Sequence, residues 1–370
     1  MKASYFGRSA AVLAIGALAL TACGSDNPTG SEGGESSGGG ESSVSGTLTG
    51  IGASSQQAAM TAWQNGFQSA NNGATVQYSP DGSGAGRTAF LAGGAQFAGS
   101  DAYMSDEENE ESKEQCGSDG ALNLPVYISP IAVAFNLPGV DSLKLDAPTI
   151  AKIFKGEINT WNAPEIAEQN PDADLPDTRI TVVHRNDDSG TTENFTEYLN
   201  VAAPEEWTNE PDQAWPSEYA AENDKGTSGV VNTTQGTEGT ITYADASAVG
   251  DLGTVEIKVG EEYVAHSPEA AAKAVEVSKQ VEGRSEHDMA IELERDTTEA
   301  GAYPLVLISY HVVCSQYDSQ ETADLVKAFE SYVISEDGQK TASDSAGSAP
   351  LSETLREQAT AAVDSITVQG

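Results

Sequence analysis

Three short segments rich in glycine, serine and threonine constrain this chain more than any other feature. They span residues 49–55, 81–87 and 183–192, and each leads into a helix pattern. The N-terminus of a helix offers unpaired backbone N–H groups, and small hydroxyl side chains add further donors. Arg185, in the third segment, can grip an oxyanion with two parallel hydrogen bonds. We therefore expect the three turns to surround one oxyanion.

The segments around these turns alternate between strand and helix patterns. A strand pattern at 46–51 precedes a helix pattern in which Met60, Trp63 and Phe67 share one face, and a second strand pattern covers 75–78. This alternation predicts an α/β fold with helices packed on mainly parallel sheets. Each glycine-rich turn then follows the carboxyl end of a strand, where ligands bind in open α/β sheets.

Residues 1–22 have the pattern of a secretory signal peptide. Lys2 and Arg8 precede an apolar stretch that is too short to span a membrane. The stretch ends in Leu-Thr-Ala-Cys at Cys23, which resembles the lipobox of bacterial lipoproteins, where the cysteine carries the lipid. The alternative is a soluble secreted protein with a chance cysteine. Residues 23–45 are rich in Gly, Ser and Glu, so we expect a flexible tether.

The chain after residue 45 is 325 residues long. This is longer than a domain with a single hydrophobic core usually is, so two lobes are expected. Apolar runs at 128–135 and 303–310 predict strands that cross between the lobes, although both could be ordinary core strands. An amphipathic helix followed by a tight turn is predicted within 148–161. Two C-terminal helices are predicted at 322–333 and 353–366, packed on lobe one.

Cys116 and Cys314 are predicted to form a disulfide, because two leftover cysteines in an exported chain most simply pair. The four histidines are scattered, and the sequence contains no zinc-protease, P-loop or serine-hydrolase pattern. We therefore expect no metal, no cofactor and no enzymatic activity.

The chain is strongly acidic, with a formal net charge of -39 at pH 7. Such a charge opposes binding to nucleic acid and would repel an anion at long range. Charges farther apart than about 8 Å are heavily screened at physiological salt, so the donors of the site decide its affinity for an anion. The acidic run at 106–111 is expected to form a solvated face.

Five segments, in this order along the chain, resemble the phosphate-binding lipoproteins of phosphate ABC transporters, the PstS family. They lie at 49–54, 99–102, 153–162, 185–191 and 301–305. Each segment alone is a weak signal, but the combination is specific. The resemblance implies a two-lobed periplasmic-binding-protein fold of type II, with two crossover strands and the ligand in the cleft between the lobes.

The crossing strands set the lobe boundaries, and the resemblance implies a function and a location. Lobe one is assigned to 46–126 plus 302–370, and lobe two to 127–301. A member of the family binds inorganic phosphate with high affinity outside the cytoplasm. It delivers the phosphate to a membrane permease, and a cytoplasmic ATPase drives import. The chain is then expected to be a monomer, anchored through Cys23 to the outer face of the cell membrane.

The ligand contacts of the family map onto residues of this chain that match its motifs. Ser54 supplies a hydroxyl and a backbone N–H, and Ser55 a backbone N–H. Asp101 is the carboxylate that faces the ligand, and Arg185 is the ion-pairing guanidinium, oriented by Asp187. The expected phosphate-binding residues are Ser54, Ser55, Ser83, Asp101, Arg185, Ser189, Gly190 and Thr191.

An isolated Ser or Gly more often forms a turn or caps a helix than binds a ligand. For Arg185 the corresponding structural role is a surface salt bridge with Asp187. Two places also depart from the family pattern. Ser54 is followed by Ser-Gln-Gln where an aromatic residue and a proline are common, and Asp188 replaces a common glycine. We expect Asp188 to point to solvent and Arg87 to lie on the surface rather than beside Ser83.

Two other functions are weighed against phosphate transport. A binding protein for sulfate, molybdate or another oxyanion is opposed by Asp101, because a ligand without a proton cannot satisfy an acceptor-only carboxylate. A secreted phosphatase would have to use Ser189 with His184. That pair lacks a recognisable group to orient the base, and phosphatases normally show clusters of metal ligands.

Overall fold

A computed structural model describes residues 44–219 and 221–370 of the chain. Strands and helices alternate through most of this length, as the sequence predicts. The strands are β1 Ser45–Gly52, β2 Gly73–Ser79, β3 Phe97–Ser100, β4 Ala121–Phe135, β5 Ser142–Leu145, β6 Thr181–Arg185, β7 Glu222–Asp224, β8 Thr240–Asp245, β9 Gly253–Val259, β10 Glu262–Val264, β11 Lys279–Gln280, β12 Ile291–Glu292, β13 Val306–Cys314, β14 Gln316–Tyr317 and β15 Thr367–Val368.

Helices connect most of these strands, and three more follow the large sheet near the C-terminus. The helices are α1 Gln57–Ala70, α2 Ser83–Leu91, α3 Asp106–Cys116, α4 Ala147–Phe154, α5 Pro164–Ala167, α6 Gly190–Ala202, α7 Gly226–Gly236, α8 Pro268–Glu276, α9 Gln320–Ile334, α10 Glu336–Ala346 and α11 Glu353–Ser365. The two predicted C-terminal helices correspond to α9 and α11, whereas α10 was not predicted.

Eleven of the strands form one mixed sheet with the path β2-β1-β3-β13-β4-β8-β6-β7, and β11–β12 and β14–β15 form two small two-stranded sheets. Strand β9 pairs with β4, and β5 and β10 pair with β9. The pairs β1–β2, β1–β3, β6–β7 and β6–β8 are parallel, whereas β4 and β13 are antiparallel to their neighbours on this path. Two parallel groups of strands therefore flank a central antiparallel pair, and this arrangement gives the two-lobed α/β fold expected from the sequence.

Both predicted crossing segments run between the two groups of strands. Strand β4 is buried along all 15 residues. Its first part pairs with β13 and its last five residues pair with β8. In the second segment the Tyr303 hydroxyl donates a hydrogen bond to the Ile131 carbonyl over 2.9 Å. The chain then enters β13, whose residues 310–313 pair with β3.

Apolar stripes at helical spacing hold the first group of helices on the sheet. Met60, Trp63 and Phe67 on α1 are buried, as predicted. The Trp63 indole N–H donates to the Gly338 carbonyl on α10 over 2.8 Å. Phe67 meets Phe329 of α9 edge to face, with ring centroids 5.3 Å apart. Burying a side chain of this size stabilises the fold by roughly 2–3 kcal/mol.

An aromatic cluster holds α6 against the second group of strands. Phe195, one turn into α6, stacks on Tyr243 of β8 with ring centroids 4.4 Å apart. Trp215 also stacks on Tyr243, with ring centroids 5.6 Å apart, and lies 6.4 Å from Phe195. Phe154, at the end of α4, meets Phe195 edge to face at 4.7 Å. These contacts fix the position of the N-terminus of α6.

Cys116, at the end of α3, is joined to Cys314, at the end of β13, in a disulfide. The predicted pairing is therefore confirmed. The described residues pack as one compact unit, and the assigned lobe boundaries, 46–126 plus 302–370 and 127–301, stay a prediction. The predicted signal peptide, Cys23 and the tether up to residue 43 lie outside the described residues. No helix within residues 44–219 and 221–370 is both long and apolar enough to cross a membrane.

Candidate functional site

Four helices begin at the same place in the fold, each just after a strand. They are α1, α2 and α6, which follow the three predicted turns, and α7, which follows β7. In α1, α2 and α7 no side chain caps the N-terminus. In α6 the Ser189 hydroxyl accepts from the Thr192 N–H over 3.2 Å. The first N–H groups of a helix have no acceptor within the helix, so this edge of the sheet is rich in hydrogen-bond donors, some of which bond groups from neighbouring turns.

Asp101, just beyond β3, links three of the predicted segments. The Ser55 hydroxyl donates to its Oδ1 over 2.6 Å, and the Thr191 hydroxyl donates to its Oδ2 over 2.9 Å. The Asp101 backbone N–H donates to Ser83 Oγ over 3.1 Å. The Asp101 side chain is 3% exposed. A buried carboxylate therefore lies where the predicted turns meet.

Opposing effects act on the protonation of Asp101. Burial raises the pKa of its carboxyl group above the ordinary value. Hydrogen bonds from Ser55, Ser309 and Thr191 act in the opposite direction, as does the charge of Arg185. The hydroxyl donors favour the ionised form, because an ionised carboxylate accepts hydrogen bonds and offers none.

Arg185, the last residue of β6, is held by Asp187. Its Nε donates to Asp187 Oδ1 over 2.7 Å, and its Nη2 donates to Asp187 Oδ2. Asp187 Oδ1 also accepts from the Gly226 N–H over 3.0 Å. Among the described residues no group accepts a hydrogen bond from Nη1 of Arg185. The guanidinium is only 3% exposed, which excludes the surface salt bridge weighed above and fits the orienting role predicted for Asp187.

The pKa of Asp187 reflects this pairing. Burial alone would raise the pKa of the carboxyl group, but the hydrogen bonds and charge of Arg185, together with the Gly226 N–H, outweigh burial and lower the pKa. Asp187 therefore stays ionised, and the ion pair keeps its geometry.

Gly190 brings the start of α6 against the first lobe. A Cβ atom at Gly190 would lie 2.5 Å from Ser83 Oγ and 2.8 Å from Asp101 Cβ, which is too close for any side chain. The Gly84 N–H donates to the Asp188 carbonyl over 3.2 Å. The two walls of the cleft are therefore in direct contact at this point.

A fourth turn completes the site, and sequence reasoning missed it. The Ser54 hydroxyl lies 3.0 Å from the Thr227 hydroxyl, and the Thr227 N–H donates to Ser54 Oγ over 3.0 Å. Asn194 was also missed, and its side-chain amide donates to the Asp101 carbonyl over 2.7 Å. The signal for α7 was present in the sequence, because residues 226–229 read Gly-Thr-Ser-Gly, the same class of turn as the other three.

Other expectations have mixed outcomes. Arg87 is not on the surface: it is 4% exposed, because its Nε pairs with Glu108 at 2.9 Å and its Nη1 donates to Ser100 Oγ at 2.9 Å. Asp188 is exposed, as expected. Most of the acidic run at 106–111 is exposed on α3, with Glu108 partly covered by its bond to Arg87.

The structure does not pair Ser189 with His184, as a phosphatase would require. His184 Nδ1 lies 2.8 Å from the Arg185 carbonyl oxygen, and the imidazole ring stacks on Trp215 at 5.2 Å. Burial lowers the pKa of His184. Within residues 44–219 and 221–370, no group of three His, Cys, Asp or Glu side chains is arranged to hold a metal ion.

A cavity of about 200 Å³ adjoins the site on the side of Asp101 and Asn194. Arg87, Arg295 and Glu193 line it. Burial raises the pKa of Glu193 to about 7. Its Oε2 has no hydrogen-bond partner among the described residues. Glu193 thus adds a second titratable carboxyl group close to the start of α6.

Comparison with known proteins shows which family the chain resembles. The sequence model of the PBP superfamily domain matches residues 37–337. Phosphate-binding protein PstS 3 of Mycobacterium leprae is 37% identical over 379 residues, which cover 99% of this chain and 100% of that protein. Phosphate-binding protein PstS 2 of Mycobacterium tuberculosis is 36% identical over 377 residues, with the same coverage.

Solved structures share the fold at lower identity. The phosphate-bound periplasmic phosphate-binding protein PfluDING superposes with a TM-score of 0.68 at 20% identity, covering 85% of this chain and 93% of that one. A putative phosphate ABC transporter substrate-binding protein from Clostridium perfringens, also with bound phosphate, gives a TM-score of 0.58 at 19% identity, covering 81% and 98%.

Proposed function

The chain belongs to the PBP superfamily and, within it, to the PstS phosphate-binding proteins, and from this premise we propose that it binds inorganic phosphate in the cleft between its lobes and delivers it to an ABC transporter. The proposed ligand residues are Ser54, Ser55, Ser83, Asp101, Arg185, Ser189, Gly190 and Thr191, with Asp187 as the residue that orients Arg185.

One observation carries the choice of phosphate. Asp101 is a buried carboxylate that already accepts two hydroxyl protons, and it lies among uncapped helix N-termini. Near about pH 7, phosphate carries at least one proton that it can donate to a carboxylate, whereas sulfate carries none. A site that combines many donors with one acceptor therefore suits phosphate better than sulfate or molybdate.

The proposal extends to the surroundings of the protein. The body would be tethered through lipid on Cys23 to the outer face of the cell membrane, and it would act as a monomer. Its partner would be the permease of a phosphate ABC transporter, with a cytoplasmic ATPase supplying energy. The proposal includes no enzymatic activity, because the residues a phosphatase would need are not brought together.

Calorimetric titration tests the proposal. The body without its lipid is partly unfolded and refolded to remove carried-over ligand, and is then titrated with phosphate, arsenate and sulfate in parallel. We expect tight binding of phosphate and no measurable binding of sulfate at the same pH and salt. Absence of phosphate binding by the refolded protein, or an equal response to sulfate, contradicts the proposal. A phosphate-release assay with a generic phosphomonoester tests separately for hydrolysis.

A further inference from the structure

Asn194, one turn into α6, is a buried polar side chain that is not among the proposed ligand residues. It is 4% exposed. Its side-chain NH₂ group donates to the Gly190 carbonyl in the same helix over 2.8 Å and to the Asp101 carbonyl over 2.7 Å. Asp101 follows β3 in the first group of strands, whereas α6 follows β6 in the second group. The amide of Asn194 therefore bonds both walls of the site.

The bond from Asn194 completes the polar contacts of Asp101. The Asp101 N–H donates to Ser83 Oγ over 3.1 Å. The carboxylate accepts from the hydroxyl groups of Ser55 and Thr191 over 2.6 and 2.9 Å. With the carbonyl oxygen held by Asn194, every polar group of Asp101 has a partner. The main chain is thus fixed on both sides of the Cα atom from which the carboxylate projects.

Arg295 contacts the oxygen of the Asn194 amide. It lies between β12 and β13 and is 2% exposed. Its Nη2 donates to Asn194 Oδ1. A guanidinium offers only donors, a carbonyl offers only an acceptor, and an amide side chain offers both. With the guanidinium on one side and two carbonyl oxygens on the other, the Asn194 amide has one favourable orientation, in which its NH₂ group faces Asp101.

Acceptors surround the guanidinium of Arg295 completely. Its Nε and Nη2 donate to Glu197 Oε2 on α6 over 3.1 and 2.8 Å. Its Nη1 donates to the carbonyl oxygens of Pro304 and Val306 over 3.0 and 2.6 Å. Together with the bond to Asn194, these contacts use all five N–H donors of the guanidinium. Arg295 therefore ties the second crossing segment, which contains Pro304 and Val306, to α6.

The partners of Asn194 set it apart from an ordinary buried asparagine. An asparagine inside a helix can satisfy its side chain within its own helix, as the bond to Gly190 does here. The second bond instead joins residues 93 positions apart, and the bond from Arg295 to Asn194 joins residues 101 positions apart. Both acceptors of the Asn194 NH₂ group, Gly190 and Asp101, are proposed ligand residues.

We propose that Asn194 and Arg295 are positioning residues for the anion site. Asn194 holds the main chain of Asp101 against the start of α6, and Arg295 keeps the Asn194 amide in the orientation that this bond requires. The inference rests on the proposed binding of phosphate. It adds that part of the affinity for phosphate depends on a buried cation outside the proposed ligand set, next to the second crossing segment.

A double-mutant cycle measured by calorimetry tests the inference. Asn194→Ala removes the bonds to both walls, and Arg295→Lys keeps the charge but loses the fork of donors. Each change should raise the dissociation constant for phosphate by roughly 3- to 10-fold, the effect of one lost hydrogen bond. Because Arg295 acts through Asn194, the double variant should bind phosphate no more weakly than Asn194→Ala does. Two independent structural defects would instead add.

Two buried residues without a hydrogen bond to a proposed ligand residue among the described residues serve as matched controls. Arg284 donates to the Met104 carbonyl over 2.7 Å. The Asn123 side-chain amide donates to Asp288 over 2.8 Å. Arg284→Lys and Asn123→Ala should lower the thermal stability of the protein and leave its affinity for phosphate unchanged.

The outcomes separate this inference from the proposed function. If the wild type does not bind phosphate, the proposed function fails and the inference fails with it. If the wild type binds phosphate and Asn194→Ala binds it equally well, the inference is overturned while the proposed function stands. Additive effects in the double variant overturn it as well, because Arg295 would then not act through Asn194. If Asn194→Ala does not fold, Asn194→Ser, which also lacks the amide, takes its place in the cycle.

Discussion

Ser54 and Thr227 are 173 residues apart in the chain, yet their hydroxyl oxygens lie 3.0 Å apart at the starts of α1 and α7. The Thr227 N–H donates to the same Ser54 oxygen over 3.0 Å. Ser54 follows β1 in the first group of strands, and Thr227 follows β7 in the second. The pair is therefore a direct contact between the two groups of strands.

Thr227→Val removes this hydroxyl and keeps the shape of the side chain. One hydrogen bond across the cleft is lost, so the affinity for phosphate should fall by roughly 3- to 10-fold. Calorimetry measures the affinity. Thr233→Val is the control, because the Thr233 hydroxyl on the same helix bonds Asp224 within one lobe. Equal affinities of Thr227→Val and the wild type would show that the bond does not contribute to closure.

Gly190→Ala should prevent closure without unfolding the protein. The added methyl group would clash with Ser83 Oγ when the lobes meet, whereas alanine is favourable within a helix. We expect at least roughly 10-fold weaker phosphate binding. Small-angle scattering should show the radius of gyration shrinking with phosphate in the wild type but not in the variant. Gly236→Ala on α7, where a Cβ atom meets nothing within 4 Å, should behave as wild type.

Arg185→Lys keeps the charge and loses the fork of parallel donors, so phosphate binding should weaken while folding survives. Arg185→Ala should raise the dissociation constant by roughly 30-fold or more, since it leaves a buried charge contact without its partner. Calorimetry and a thermal melt measure the two effects. Arg179→Lys, at an exposed position just before β6, serves as the control. Unchanged affinity in Arg185→Ala refutes the assignment of Arg185 as a ligand contact.

Asp101→Asn tests selectivity. The amide can turn an N–H donor toward the anion, so the variant should bind sulfate measurably and keep part of its phosphate binding. A site built on a specific hydrogen bond can reject a ligand that cannot form this bond by about 10⁴-fold. Even a partial loss of this selectivity should therefore be measurable as sulfate binding. Asp288→Asn is the matched control, because Asp288 is a buried carboxylate that accepts from Asn123 and has no hydrogen bond to a proposed ligand residue among the described residues. Rejection of sulfate by Asp101→Asn would place the discrimination elsewhere.

Glu193 should make stability depend on pH. Its pKa is about 7 in the folded protein, against an ordinary value of 4.5. Between these two values the folded state keeps a proton that the unfolded state has released, so the contribution of Glu193 to stability falls as the pH rises. Glu193→Gln should therefore flatten the decline in the free energy of unfolding over this range.

Urea unfolding at several pH values from 4.5 to 7 measures this slope. Glu110→Gln, on an exposed side chain, should keep the slope of the wild type. An identical slope in Glu193→Gln and the wild type would mean that Glu193 does not hold a proton in the folded protein.

Three of the four turns at the site could be predicted because their signal is local. A strand pattern, a few small residues and a helix pattern follow one another within a dozen positions. The turn before α7 has the same small residues, but β7 is only three residues long and α7 is rich in Gly, Thr and Ser. Neither β7 nor α7 has a clear apolar stripe, so the sequence did not predict them. Thr227, at the start of α7, was missed for the same reason.

The buried contacts of His311 with Gln56 and Glu330 could not be predicted because no local pattern records them. His311 and Gln56 are 255 residues apart, and only the folded sheet brings them together. The burial of Glu330 could be read from the sequence, since Glu330 lies on the buried stripe of α9 with Val326 and Phe329.

The prediction that Arg87 lies on the surface was wrong for a similar reason. Arg87 is buried on α2 beside Phe90. Its partners, Glu108 and Ser100, come from outside the helix.

The path of the sheet also bears on how the protein is made. Strand β3 ends at residue 100, but its neighbour β13 begins only at residue 306. During synthesis, β3 keeps one edge without its partner strand until some 200 further residues have been made. The edge of β3 can be paired, and Cys116 can be joined to Cys314, only after the chain has been synthesised to the end of β13.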